Sequence, residues 1–316
     1  MILTDPIFTD EAKAREHLEA TRWPQGPECP HCGVVDQATL LHGKAHRPGV
    51  YECRACRDQF TATVGTVFER SKVPLNKWML ASYLMASSKK GVSAHQLHRT
   101  LGVTYKTAWF MAHRLREAMK PTDFMPFGVG GGAVEVDETF IGTDKDRAVT
   151  KPVKKHGRRT ANMNKIVTLV DRNSGEARSK VVKDLSRATL WPFIAVNVER
   201  EARLMTDEFG AYVQIGEEFA QHGRVNHSAG EYVSRADRSI HTNTVEGFYA
   251  IFKRGMKGIY QHCGQQHLHR YITEFDFRYS ARIALGVDDE DRTAKLLRGI
   301  GGRRLTYRRI GDAHYA

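Results

Sequence analysis

Cys29 and Cys32, then Cys53 and Cys56, form two C-x2-C pairs separated by twenty residues. Two such knuckles place four thiolates at the corners of a tetrahedron, and four thiolates leave no open position for water. The spacing therefore predicts one closed, structural zinc ion rather than a catalytic one. Gly33 follows the first pair, where a tight turn around the metal needs a permissive backbone. Two disulfides are the alternative, and they require an oxidising compartment that nothing else in the chain supports. Cys263 is left over as an ordinary thiol, and His31 as a surface residue beside the first knuckle.

A second chemistry is open to the carboxylates. Asp137 interrupts an apolar, strand-like stretch, and Asp207 closes another. Glu246 lies near the start of a helical stretch, with Lys253 two turns further along the same face. An acid on the buried side of a strand is expensive unless it is paired or holds a cation. Three such carboxylates can hold two magnesium ions, or manganese in their place, about 3.5–4 Å apart for an in-line phosphoryl displacement. Spacing alone does not single out this triplet among the 36 acids, since capping and salt-bridged acids are common.

The elements that must position these residues are legible in outline. Residues 50–52 and 60–63 read as strands of a zinc ribbon around the cysteines. Residues 75–87 carry Trp78, Leu80, Ala81, Leu84 and Met85 at helical spacing. Ser93 caps a helix over 94–101, Gly102 turns the chain, and Thr104 caps a second helix over 105–119. This pair predicts a helix-turn-helix whose second helix would enter a major groove. Lys106, Thr107, Trp109 and Arg114 are then DNA-facing candidates, and Met111, Leu115 and Met119 a packing stripe; a plain helical hairpin with a solvated basic face is the other reading.

A Gly-rich linker over 123–132 leads into strands at 134–141, 165–170 and 178–182. A helix at 187–198, strands at 203–206 and near Val225, and a long helix from Thr242 follow. The fold class expected is a multidomain α+β protein: ribbon and helix-turn-helix first, then an α/β domain with a mixed sheet. The domains expected are 1–70, 71–122, the linker 123–132, 133–285 and a basic C-terminal tail at 286–316. Asp137 and Asp207 fall at strand positions or ends, where α/β folds place ligands. Lys154, Lys155 and Arg158 belong to a basic loop over 145–159, which is either a solvated face or a grip on phosphates.

Composition narrows the partners. Lys and Arg number 48 against 36 Asp and Glu in 316 residues, a net charge of +12 that favours a polyanion. No apolar run approaches the ~18 residues of a membrane span. The first residues lack a basic segment followed by an apolar stretch, so no secretory signal and a reducing, cytoplasmic setting are expected.

The stretches Val134-Glu-Val-Asp-Glu-Thr-Phe-Ile-Gly142, Met205-Thr-Asp-Glu-Phe-Gly-Ala-Tyr212, His241-Thr-Asn-Thr-Val-Glu-Gly-Phe248, Phe252-Lys-Arg-Gly255 and Arg270-Tyr-Ile-Thr-Glu-Phe-Asp-Phe-Arg-Tyr279 together resemble bacterial insertion-sequence transposases of the ISXO-like group. The resemblance spans residues 23–307 in the expected order. It implies an RNase H-like catalytic domain with a DDE triad: Asp137, Asp207 and Glu246. It further implies that Lys253, with Arg254 beside it, touches the DNA backbone, and that Asn243, His227 and His241 flank and orient the site. For Lys253 a plain helix-surface role stays open, as does a structural one for the two histidines. The loop after Gly142 is poorer in glycine than is usual for the group, which bears on its own contacts and not on the triad.

The activity implied is binding of terminal inverted repeats on double-stranded DNA, followed by metal-dependent strand cleavage and strand transfer. Joining two ends implies a homodimer or higher assembly acting at the nucleoid. A regulator with the same DNA-binding region, or a nuclease that cuts without joining, are the competing expectations.

Overall fold

The computed structural model of the chain describes residues 2–143, 160 and 162–306. They form two compact units, Met1–Lys120 with Val287–Ala316, and Pro121–Gly286.

The first unit opens with α1 (Glu11–Arg22), whose N-terminus is capped by Asp10 accepting from the backbone N–H groups of Ala12 and Lys13. A small antiparallel sheet follows in the order β1 (Ala38–Leu40), β2 (Tyr51–Cys53), β3 (Gln59–Phe60). The strand expected to continue over 61–63 instead turns. Thr61 and Thr63 hydrogen-bond through their hydroxyls at 2.9 Å, a local alternative to the ladder.

Helices α2 (Leu75–Ser87), α3 (Ala94–Leu101) and α4 (Tyr105–Ala118) lie where periodicity placed them. Ser93 accepts from the N–H of Gln96, and Thr104 from that of Thr107. Gly102 turns the chain between α3 and α4 at φ 59°. Met111, Leu115 and Met119 are buried, as a packing stripe requires.

The second unit contains β4 (Ala133–Thr143), β5 (Met163–Asp171), β6 (Ala177–Val182), α5 (Arg187–Asn197), β7 (Arg203–Thr206), α6 (Gly210–Gly216), β8 (Gln221–Arg224), α7 (Asn243–Gly255) and α8 (Leu268–Ser280). Its sheet has the order β6-β5-β4-β7-β8. The pairs β4–β5 and β5–β6 are antiparallel, whereas β4–β7 and β7–β8 are parallel. This is the mixed sheet of the RNase H-like fold.

Alternation along β4 divides its side chains between two cores. Val134 and Val136 pack with Leu190 and Ile194 of α5 and Tyr212 and Ile215 of α6. On the opposite face, Ile166 and Val170 of β5 pack with Val245, Phe248 and Phe252 of α7 and Ile272 and Phe275 of α8.

The chain divides differently from expectation at two places. The stretch expected as a linker belongs to the second unit, because Phe127 is buried in the first of those cores and its N–H donates to Asn197 O at 2.7 Å. A Cβ at Gly128 would lie 2.4 Å from that of Ala202, and φ there is +75°, so close approach of the backbone requires glycine.

Residues 287–306 are not a free tail. Asp288 caps α9 (Asp289–Arg298), which packs on α2, and Arg292 donates to Ala86 O at 3.3 Å. Arg303 donates to Glu117 O and Lys120 O at the end of α4, at 2.6 and 2.8 Å. A cation there satisfies the orphan carbonyls of a helix C-terminus. The basic residues Arg308 and Arg309 lie outside the described residues. Among the described residues, no helix is long and apolar enough to cross a membrane.

Asp276 of α8 meets the backbone N–H and the hydroxyl of Ser179 on β6, at 2.9 and 2.6 Å. Burial pushes its carboxyl up to about 7, against the pull of Ser179 and Arg178. Below pH ~4 both folded and unfolded chains keep the proton. Between that point and about 7 only the folded chain does, so stability falls as pH rises through this window. Denaturant melts of Asp276→Asn should lose a fall of about 2 kcal/mol between these limits, the value being discounted for the part of the residue that meets solvent. Identical pH dependence in parent and variant would contradict this burial.

Candidate functional site

The four knuckle cysteines converge. Their sulfurs all lie within 4.8 Å of one another, with Cys29 to Cys56 at 3.7 Å and Cys32 to Cys53 at 3.6 Å. A tetrahedron of thiolates around zinc, with Zn–S near 2.3 Å, has edges of about 3.8 Å, so the donor set fits the ion. Each knuckle closes on a left-handed residue: Gly33 at φ 75°, donating to Cys29 O, and Arg57 at φ 66°, donating to Cys53 O. Nothing in the sequence marked Arg57 for that conformation.

The candidate acids come from three elements. Asp137 sits in the middle of β4, and Asp207 directly follows β7. The parallel register pairs Glu135 with Met205, and carrying it two residues further sets Asp137 opposite Asp207. Adjacent strands lie about 4.8 Å apart, so these two carboxylates share one edge of the sheet. Glu246 stands in the first turn of α7.

The three are half-buried and their charges interact. Burial first, then the carboxylates of Glu138, Asp207 and Glu246, hold the Asp137 carboxyl well above its ordinary range. Burial also raises Asp207, with Glu208 adding to the effect. These acids are not drawn together as tightly as the cysteines, which form the sole cluster within 4.8 Å among the described residues. Their hard oxygens and mutual repulsion suit a divalent cation such as magnesium.

A buried carboxylate fixes this arrangement. Glu135, with no exposed surface, accepts from the N–H groups of Thr244 and Val245 at 2.8 and 2.9 Å and from the Thr244 hydroxyl at 2.6 Å. It thereby caps the N-terminus of α7 from β4. Arg172 donates to Glu135 at 2.6 Å, and also to Ser239 O, His241 O and His241 Nδ1. From the other side, the Tyr249 hydroxyl donates to the Asp137 carbonyl at 2.6 Å.

The flanking residues divide. His227 Nε2 lies 3.4 Å from Glu246 and 3.2 Å from Thr242 Oγ1, and its N–H donates to Glu208. His241 is instead bound to Arg172 and stands 3.3 Å from Glu135; burial, then Arg172, lowers its pKa. Asn243 opens α7 and is exposed. Lys253 is exposed, its Nζ 6.0 Å above the ring of Tyr249, and Arg254 is exposed beside it.

On α4, Lys106 is exposed, while Thr107 and Trp109 are half-buried. Arg114 is a correction: it is 9% exposed and donates to Glu69 O and Leu305 O, so it holds the first unit together rather than facing outward. Its place one turn from the end of α4 gave no sign of these partners. Lys154, Lys155 and Arg158 lie outside the described residues.

Sequence reasoning missed Glu135, Arg172 and Tyr249, and also Glu138. The last accepts from the buried Tyr212 hydroxyl at 2.8 Å, and burial with Asp207 raises its carboxyl to about 7. Alternation of β4 was the available signal: a second and third acid in an apolar strand need partners as much as the first does.

An RNase H-like domain beside a four-cysteine ribbon defines the class of protein, and comparison with known proteins agrees. Residues 130–280 match the ISXO2-like transposase domain and residues 9–59 the transposase zinc-ribbon domain. The chain belongs to this family of insertion-sequence transposases. It is 28% identical over 281 residues to an uncharacterized protein in transposable element ISH50 of Halobacterium salinarum, covering 86% of this chain and 91% of that one. The likeness thus extends to an archaeal protein. A solved chain from the simian T-cell lymphotropic virus intasome in complex with PP2A regulatory subunit B56 gamma aligns over 63% of this chain and 66%, just under two thirds, of its own. With 13% identity and a TM-score of 0.29, that alignment carries no argument.

Two outcomes test the architecture of these sites. The double variant Cys29→Ser, Cys53→Ser should lose zinc and the folded ribbon, read by metal analysis and amide dispersion; one equivalent of zinc in that protein would reassign the ligands. Arg172→Met should destabilise the second unit by about 3 kcal/mol because Glu135 is left buried without its cation. Adding Glu135→Gln should restore part of that loss in urea melts, and a loss below about 0.5 kcal/mol would show that the pair is not needed.

Proposed function

We propose that this chain is the DNA transposase of its insertion sequence, with Asp137, Asp207 and Glu246 as the metal-holding acids. The observation that supports this most is the convergence itself. Two acids each lie two residues beyond the last pair of a parallel strand register, and the helix bearing the third is capped from the strand bearing the first. Magnesium or manganese held there, two ions per site, would activate the attacking oxygen and stabilise the leaving one.

The remaining side chains support the same reading. Lys253 shares the face of α7 with Glu246 and Tyr249 and is exposed to a DNA phosphate, with Arg254 next to it. His227 orients Glu246. Asn243 and His241 flank the site, His241 by way of the Glu135 network.

Water, then the freed 3′ hydroxyl of the DNA, serve as nucleophiles, so no covalent bond forms between protein and DNA. In the first unit, the ribbon and the start of α4, with Lys106, Thr107 and Trp109, bind the terminal inverted repeats. The segment with Lys154, Lys155 and Arg158 adds phosphate contacts. Two ends joined in one reaction call for a homodimer or larger assembly, working on DNA in the cytoplasm.

The test uses labelled duplex from the DNA bordering the reading frame, with magnesium or manganese, and compares the parent with Asp137→Asn. Metal-dependent cleavage and joining should fall about a thousandfold or more in the variant while end binding stays near parental. Cleavage without joining in the parent would make it a nuclease, and tight binding without cleavage a regulator. Undiminished cleavage by the variant would remove Asp137 from the site.

A further inference from the structure

Glu208 directly follows Asp207, yet its carboxylate has partners of its own. Asp207 accepts from the Phe209 N–H at 2.9 Å. Glu208 instead accepts from the N–H of His227 at 2.9 Å through one oxygen, and from the N–H and hydroxyl of Ser228 at 3.1 and 2.6 Å through the other. Three donors converging on one half-buried carboxylate make a firm anchor, since each bond is charge-assisted. What they anchor is the single 3-10 turn His227–Ala229 after β8, whose far end is closed by Asn226 accepting from the Ala229 N–H at 3.0 Å.

The anchor matters because of where the His227 ring goes. Its Nε2 lies 3.4 Å from the Glu246 carboxylate and 3.2 Å from Thr242 Oγ1. The Glu246 side chain is 41% exposed, and among the described residues His227 is its one ionic side-chain partner. A long carboxylate side chain held by one contact is ordered only as far as that contact is itself fixed. An imidazole that orients a neighbour through one nitrogen is ordinarily fixed through the other. Here the other nitrogen cannot serve: Nδ1 of His227 is buried without a hydrogen-bond partner among the described residues. The backbone is held instead, by Glu208, while the Tyr232 ring packs 5.2 Å from the imidazole.

We propose that Glu208 is a positioning residue that locks the second and third metal-holding acids to each other. It is bonded in the chain to Asp207, it holds the backbone of His227, and His227 aims Glu246. The inference rests on the reading of Asp207 and Glu246 as metal-holding acids. Both Glu208 oxygens are engaged by the turn, so it is assigned no contact with metal or DNA. Glu135 ties the strand of the first acid to the helix of the third, and Glu208 supplies the corresponding tie from the second.

The experiment is a magnesium titration of cleavage by the full chain on the labelled element-end duplex. In Glu208→Gln the amide nitrogen presents hydrogens to a donor on one side or the other. Glu208→Gln and His227→Ala should each raise the magnesium concentration for half-maximal cleavage about tenfold, with a smaller loss of rate at saturating magnesium and parental metal-free end binding. The double variant should be no worse than the poorer single one, because both act through the same ring. Ser228→Ala, which keeps both backbone donors, should raise the half-maximal concentration about threefold. With Glu246→Gln inactive, parental magnesium dependence in Glu208→Gln, or effects that multiply in the double variant, overturns the inference. If Glu208→Gln loses end binding, Ser228→Ala decides: the threefold rise supports the inference and parental dependence overturns it. Undiminished cleavage by Glu246→Gln would instead overturn the reading beneath it, and the inference with it.

Discussion

Burying the Glu135 carboxylate next to Asp137 constrains everything around it. A lone carboxylate at that depth would be neutralised or would unfold the strand, since an unpaired charge in an apolar core is among the most expensive groups to bury. Arg172 and the N-terminus of α7 supply the compensation together. The helix contributes two backbone donors that have no partner within the helix and the positive end of its dipole. Because Val245 donates to Glu135, Glu246 follows one residue after a fixed point, and α7 cannot slide along the sheet without stranding the charge.

The sheet topology supplies the other half of the geometry. Three strands run as an antiparallel meander, and β7 and β8 then add parallel to β4. The change from antiparallel to parallel neighbours at β4 makes it a topological switch, the place where open α/β sheets commonly bind ligands. Asp137 lies within that strand, while Asp207 lies where its parallel neighbour ends. The chain beyond β7 turns at once, the Phe209 N–H donating to the Asp207 carboxylate.

Local pattern made most elements legible, and tertiary demand hid the rest. Alternation marked β4, and caps at Ser93 and Thr104 marked α3 and α4, since those signals are local. The linker failed because glycine and proline suggested freedom, whereas Phe127 binds the segment into a core. Helix α9 went unread although Asp288 and three following acids, with Lys295 and Arg298 at the far end, match the helix dipole. Arg114 was misread because a basic residue on an amphipathic helix looks solvated until the carbonyls that receive it are known. The candidate acids were singled out by resemblance, not spacing. What sequence could not show is that their mounting depends on Glu135, Arg172 and Tyr249, whose partners lie far along the chain.

The cysteine and carboxylate sites make opposite demands on the fold. The thiolates sit in two short knuckles whose regular structure is three brief strands, so the ribbon has little core of its own and the metal's binding energy is part of its folding energy. The acids are held instead by two hydrophobic cores and a buried ion pair, and burial, then the neighbouring carboxylates, raise Asp137. That crowding destabilises the fold and is tolerated because strand and helix are anchored from both faces of the sheet. A divalent cation entering such a site gains from the repulsion it relieves without having to organise its ligands. Rigid mounting of like charges is therefore the condition that a weakly held, hydrated cation such as magnesium would require of a site with so few protein ligands.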